Sequence, residues 1–239
     1  MNHYRTIFIS DTHLGGPCNH SALKDFLYNN DADTWYIVGD FLDLWAGGWS
    51  VDDNMVIQAL INKTNAGQRI IIIPGNHDSN LRHFEHSHIG GVEIVDNTIF
   101  TTSAGKTYLV LHGDLFDAVI GHAVWLAKMG AVGYNILILL NKSMNFVRKI
   151  FHLPYWSFSA AIKKTVKRAV SYISDFKNSL VHLTYTYGTY GVICGHTHTP
   201  EHICIGYVDY INTGDWVESL TAVVELPDGT LELKYYDKQ

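Results

Sequence analysis

The strongest constraint on this 239-residue chain is a pattern that recurs five times: a short apolar run that ends in histidine, aspartate or asparagine. Ile70, Ile71, Ile72 and Ile73 form one such run, and Pro74-Gly75 ends it just before Asn76-His77-Asp78. The run is β-branched throughout and has no polar alternation, so it predicts a strand buried on both faces. Residues 7–10 lead likewise to Asp11-Thr12-His13, and residues 35–38 to Gly39-Asp40, with Asp43 shortly after. Residues 108–111 lead to His112-Gly113-Asp114, and residues 191–194 to Gly195-His196-Thr197-His198. In open α/β sheets, ligands bind where strands finish at their carboxyl edge. One polar residue behind a strand reads as the cap of the next helix. Five such junctions, all with metal-capable side chains, read as a site.

The segments between these junctions set the fold class. Strands are expected at 4–9, 34–38 and 70–73. Helices are expected at 21–28, with Ser21 as N-cap, and at 53–65, where Met55, Val56, Ala59 and Leu60 recur at helical spacing. That βαβαβ order implies parallel strands with helical crossovers. After Gly90 the pattern becomes short strands at 92–95, 98–102 and 106–111, then at 190–194, 202–205, 208–211, 220–225 and 231–235. Asp228-Gly229 is a hairpin signal. The expected fold is α/β, a two-sheet mixed β-sandwich flanked by helices, as one domain over 1–239 with a helical insert over 118–188.

The insert differs from the rest of the chain in charge. It holds nine basic residues, among them Lys163, Lys164, Lys167 and Arg168, against the single acid Asp175, for a net +8. The whole chain carries −6, so the remainder carries −14. A basic, apolar and aromatic segment on an acidic body suits an anionic partner, and a helical hairpin packed on the body is the plain alternative. Residues 118–140 contain one formal charge, Lys128, but the clean apolar part is shorter than a membrane span and suits a buried or interfacial helix. The acidic body offers no basic groove for nucleic acid.

The three cysteines, Cys18, Cys194 and Cys204, have no paired spacing, so a disulfide framework is not expected. The opening MNHYRTIFIS runs straight into a strand without a leader-like apolar region, and a cytoplasmic protein is expected. His83, His86 and His88 lie close together but lack the second half of a zinc-finger pattern.

Aspartate, histidine and asparagine together suit borderline divalent cations such as manganese, iron, cobalt or zinc. Seven candidate ligands at these junctions exceed the needs of one ion. With one bridging carboxylate they suffice for two. A pair of ions roughly 3.5–4 Å apart clamps phosphoryl oxygens and lowers the pKa of bound water from about 15.7 towards about 7.

The motifs DTH, GDFLD, GNHD, LHGD and GHTH, in this order, resemble those of the calcineurin-like metallophosphoesterase superfamily. The resemblance runs from Asp11 to His198 and implies a dinuclear hydrolase of phosphoesters on an αββα fold. It implies that Asp11, His13, Asp40 and His198 hold one metal, and that Asp40, Asn76, His112 and His196 hold the other. His77 would be the acid facing the phosphate, oriented by Asp43. GDFLDLW (39–45), LVLHGDLFD (109–117), VICGHTHTPE (192–201) and NTGDWVES (212–219) are further similar to the UDP-2,3-diacylglucosamine hydrolase branch. Enzymes of that branch cleave a diacylated sugar nucleotide in lipid A synthesis, usually with manganese, under a helical lid. The implied partners are a lipid-linked anionic phosphoester and, peripherally, an anionic membrane, with Lys163, Lys164, Lys167 and Arg168 as candidate diphosphate contacts. That branch carries arginine where this chain has His77, so a relative acting on another phosphoester is the alternative. A non-catalytic scaffold, a nuclease and a protein phosphatase are rival readings. The complete ligand set argues against the first and the acidic body against the second.

Overall fold

The computed structural model describes residues 2–116 and 158–236, with side chains for 2–116 except Ile89 and for 173–236. Residues 117–157, which include the whole apolar stretch 118–140, lie outside the described residues. So do the side chains of Lys163, Lys164, Lys167 and Arg168. The chain divides into two compact units, one of Met1–Asp114 with Leu180–Gln239 and one of Leu115–Ser179.

The first unit begins β1 (Asn2–Ile9), α1 (His20–Asn29), β2 (Asn30–Val38), α2 (Val51–Asn65) and β3 (Arg69–Ile73). It continues with β4 (His88–Ile89), β5 (Val92–Ile94), β6 (Asn97–Thr101) and β7 (Thr107–Leu111). After α3 (Phe158–Tyr187) come β8 (Gly191–Cys194), β9 (Glu201–Ile205), β10 (Val208–Asn212), β11 (Thr221–Glu225) and β12 (Leu231–Tyr235). A seven-stranded sheet runs β12-β11-β1-β2-β3-β5-β4, and a five-stranded sheet runs β6-β7-β8-β10-β9. The mixed α/β two-sheet architecture is the one expected. No helix among the described residues is long and apolar enough to cross a membrane.

Alternation along the strands explains why their sequences are apolar throughout. Ile7, Ile9, Trp35, Ile37, Ile70 and Ile72 pack in one core with Leu23 and Leu27 of α1 and Val56 and Leu60 of α2. The residues between them, Phe8, Tyr36, Val38, Ile71 and Ile73, pack in a second core with Tyr108, Val110, Ile193 and Ile211 of the other sheet. Successive strand side chains point to opposite faces, so a strand covered by helices on one side and a sheet on the other has no polar position. Each fully buried aliphatic or aromatic side chain contributes roughly 1.5–3 kcal/mol. Phe8 stacks on Tyr36 at 4.8 Å and meets Phe100 edge-on at 5.0 Å.

The register delivers the site. In the first sheet β1, β2 and β3 are parallel, with Ile9 opposite Ile37 and Val38 opposite Ile73. Their C-terminal ends therefore lie in step, and Asp11, Asp40 and Asn76 follow them on one edge. In the second sheet β7, β8 and β10 are parallel, with Val110 opposite Ile193 and Cys194 opposite Asn212. His112 and His196 thus leave neighbouring strands.

Three details differ from the sequence expectation. Helix α1 is capped by Asn19, whose side chain accepts from Ala22 N, and not by Ser21. Helix α2 starts before residue 53, because Ser50 and Asp53 form a reciprocal capping box. Strand β4 was not expected and pairs antiparallel with β5. Asp228-Gly229 does turn β11 into β12, with Gly229 at φ 81°.

Candidate metal centre

The loop after β1 continues alongside the loop after β2. Asp11 N donates to Gly39 O, His13 N to Asp40 O and Leu14 N to Phe41 O, each at 3.0 Å. These loops carry unusual backbone. Seven non-glycine residues among those described have positive φ, and five of them are Asp11, His13, Asp40, His196 and His198. Left-handed backbone is uncommon outside glycine, and its cost persists only where the surroundings hold it.

Each aspartate is anchored by one oxygen and presents the other. Asp11 Oδ2 accepts from His196 N at 3.0 Å, and Asp40 Oδ1 accepts from His77 N at 2.8 Å. Asp11 Oδ1 lies 3.1 Å from His198 Nε2, and Asp40 Oδ2 lies 3.4 Å from His112 Nε2. His13 Nε2 is 3.3 Å from His198 Nε2 and 3.8 Å from Asp40 Oδ2. Ligand-type atoms of Asp11, His13 and His198 lie within 4.8 Å of one another, as do those of Asp40, His112 and His196. Asp40 reaches His13 as well as His112, so it stands between the two groups. His112 Nδ1 donates to Val38 O at 2.9 Å, which leaves Nε2 to face Asp40.

Glycines make room for this crowding. A Cβ on Gly39 would overlap the His112 ring, one on Gly75 would overlap Asp40, and one on Gly195 would overlap Asp11.

Unsatisfied atoms show that the residues fit a cation. Among the described residues six buried side-chain nitrogens or oxygens have no hydrogen-bond partner, and four are Asp11 Oδ1, His13 Nδ1, Asn76 Oδ1 and His112 Nε2. Buried polar atoms are almost always partnered. Carboxylate, carboxamide and imidazole form the donor set of a borderline divalent ion. Charges within the cluster are strongly coupled. Burial opposes ionisation of Asp11, but His198 overcomes it and holds the carboxyl down at about 2. Burial likewise opposes charge on His112 and His198, and Asp40 and Asp11 respectively push them up to about 10. Burial pushes His13 down.

His77 stands apart from both groups. Its Nδ1 lies 3.0 Å from Asp43 Oδ1, its side chain is 23% exposed, and the indole of Trp45 lies over it at 4.0 Å. Asp43 Oδ2 is also 3.5 Å from His13 Nδ1, so His13, Asp43 and His77 form a third ligand-type cluster. Asp43 Oδ1 there also accepts from Trp45 N and Ala46 N. Hydrogen bonds account for that oxygen without an ion. Asp78 is structural, since it accepts from Gly75 N, Phe41 N and Leu42 N. His83, His86 and His88 belong to none of these clusters.

Three neighbours were not singled out from the sequence. Trp45 was quoted only within a motif. Arg82 bonds Asp96 at 2.7 Å, both oxygens of Asp114 at 2.9 Å and Pro74 O at 3.1 Å, which joins the loops that carry Asn76 and His112. Asp215 lies behind His198, with Oδ2 3.5 Å from Nδ1. Like Trp45, it was quoted only within a motif, NTGDWVES (212–219).

A family model described as calcineurin-like phosphoesterase matches residues 4–200. The chain belongs to this family. UDP-2,3-diacylglucosamine hydrolase of Chromohalobacter salexigens is 29% identical over 155 residues, covering 58% of this chain and 63% of that protein. The protein of the same name from Cellvibrio japonicus is 36% identical over 115 residues, covering 46% of this chain and 48% of that one. The matched part of this phosphoesterase thus spans about half to two thirds of those two proteins. The hydrolase of that name from Aliivibrio fischeri is 27% identical over 248 residues, covering 93% of this chain and 94% of that one. Among solved structures, Vacuolar Protein Sorting 29 from Cryptosporidium parvum matches with a TM-score of 0.47 at 12% identity, covering 96% of this chain and 95% of that one.

Proposed function

We propose that this phosphoesterase holds two divalent ions, manganese in the cell, and hydrolyses the diphosphate of UDP-2,3-diacylglucosamine to UMP and the acylated sugar 1-phosphate. One observation carries the two-ion part. Ligand-type side chains delivered by several strand ends gather in two groups, several of their buried atoms without partners, and Asp40 of one group comes within 3.8 Å of His13 of the other. Asp11, His13, Asp40 and His198 would hold one ion, and Asp40, Asn76, His112 and His196 the other. Bound there, divalent ions supply Lewis acidity towards phosphoryl oxygens and a nucleophile at neutral pH.

The remaining steps belong to the protein. His77 carries the proton for the leaving oxygen. Asp43 accepts from its Nδ1, which leaves Nε2 to deliver that proton and stabilises the charged ring. Support for the substrate comes from the names of the relatives and from the basic segment 118–188, whose Lys163, Lys164, Lys167 and Arg168 suit phosphates and an anionic membrane surface. On this reading the enzyme works in the cytoplasm, peripheral to the membrane. A second reading rests on His77, which stands where the branch resembled here carries arginine. It gives the same chemistry on a different nucleotide or lipid phosphoester.

Phosphorus NMR of manganese-loaded protein with UDP-2,3-diacylglucosamine tests the choice. UMP and sugar 1-phosphate are expected. An intact sugar nucleotide beside rapid hydrolysis of bis(p-nitrophenyl) phosphate favours the second reading.

A further inference from the structure

Two carboxylates flank His198. Asp11 faces its Nε2 at 3.1 Å, and Asp215 faces its Nδ1 at 3.5 Å. Asp215 has no part in either ligand group, yet it is 1% exposed. Burying a carboxylate is costly unless it is bonded, and the bonds here are asymmetric. Oδ1 accepts from Val217 N at 2.8 Å, Glu218 N at 2.6 Å and Ser219 N at 3.1 Å. Oδ2 is thereby turned to His198. The next residue fixes the distance to the site, because Trp216 N donates to Asp11 O at 3.1 Å. The preceding strand supports the histidine loop, since Asn212 Nδ2 donates to Gly195 O at 2.6 Å and to Thr197 Oγ1 at 3.0 Å. The end of β10 therefore acts as a shelf under His196-Thr197-His198.

We propose that Asp215 is the positioning residue of His198: its Oδ2 accepts the Nδ1 proton, so that when the ring binds an ion it is Nε2, on the side of Asp11 and His13, that gives up its proton. His112 is set in the same way by a carbonyl, Val38 O. An imidazole binds a cation only through a nitrogen that carries no proton, so the partner of the other nitrogen decides whether the ring can serve. The inference rests on the two-ion reading above and adds a residue to it.

Asp215→Asn separates tautomer control from turn holding. The amide oxygen keeps the three backbone donors, while the amide nitrogen donates towards Nδ1 and drives the proton to Nε2. Metal titration of wild type and variant, read by elemental analysis and competition with a chelating dye, should show one ion bound about 10–100-fold more weakly in the variant and the other unchanged. The melting midpoint of the metal-free variant should match the metal-free wild type. Two ions at wild-type affinity in Asp215→Asn overturn the proposal, as does a fall in the metal-free midpoint that parallels the lost ion. Wild type that binds no ion overturns the two-ion reading itself, and this inference with it. A second measurement does not need the variant. Long-range proton–nitrogen correlation of zinc-loaded wild type should place the remaining His198 proton on Nδ1, and a proton on Nε2 overturns the proposal.

Discussion

His77 differs from the imidazoles beside it in where its ring nitrogens lead. His112 is buried against Asp40 and His198 lies between two carboxylates, whereas His77 bonds Asp43 and lies under an indole that is itself 68% exposed. His77→Ala should therefore keep the metal content of wild type and lower turnover by about 10²–10⁴-fold. The loss should shrink on nitrophenyl esters, whose leaving group needs no proton, and an equal loss on all esters would mark phosphate positioning instead. Single residues of this kind were legible because DTH, GDFLD, GNHD and GHTH are local patterns. The roles of Arg82 and Asp215 were not, because each acts on residues far away in the chain, Arg82 from an ordinary loop and Asp215 from within NTGDWVES, a motif that does not by itself name its partner.

At the scale of elements, the strand ends set the site and the glycines after them set its tolerance. A methyl on Gly75 would overlap Asp40 and come within 2.7 Å of His112 Nε2. Gly75→Ala should keep its far-ultraviolet circular dichroism yet lose bound metal and about 10²-fold in turnover, since misplacements near 1 Å cost that much. Unchanged metal content would refute the close packing described here. Helix α2 is tied to this edge by Asp53, which accepts from Gly15 N at 2.8 Å, His20 at 2.7 Å and Ser50 N at 2.7 Å. Burial opposes its charge, but these bonds and the Ser50 hydroxyl bring its pKa from 3.8 to about 2. The folded value lies below the unfolded one, so this stability is full above 3.8 and fades as pH falls through about 2. Asp53→Asn should cost about 0.5–2 kcal/mol at neutral pH. Urea unfolding at a series of pH values should show that gap closing below about pH 4, and a gap independent of pH would contradict the assignment. The strands were readable because a strand buried on both faces has no polar position. The cap of α1 was misplaced by two residues because Asn19 and Ser21 are both good caps and only the chain path chooses. Strand β4 has too few residues to leave a pattern.

For the whole molecule, the division of charge between an acidic body and a basic segment is plain in the sequence, while its use is a matter of chemistry. If the proposed substrate is right, replacing Lys163, Lys164, Lys167 and Arg168 together by alanine should raise KM for the diacylated sugar nucleotide and flatten its salt dependence, with bis(p-nitrophenyl) phosphate unaffected. Equal losses on both substrates would remove these residues from substrate binding. The left-handed backbone at five candidate ligands and the four unpartnered buried atoms beside them belong to one centre. Asp40 stands at its middle, 3.4 Å from His112 and 3.8 Å from His13. Elemental analysis of purified protein, paired with a phosphodiesterase assay on the same sample, tests that centre most directly. Close to two divalent ions per chain are expected in the wild type, with most of both ions and the activity lost in Asp40→Ala. A preparation free of metal and fully active would contradict it.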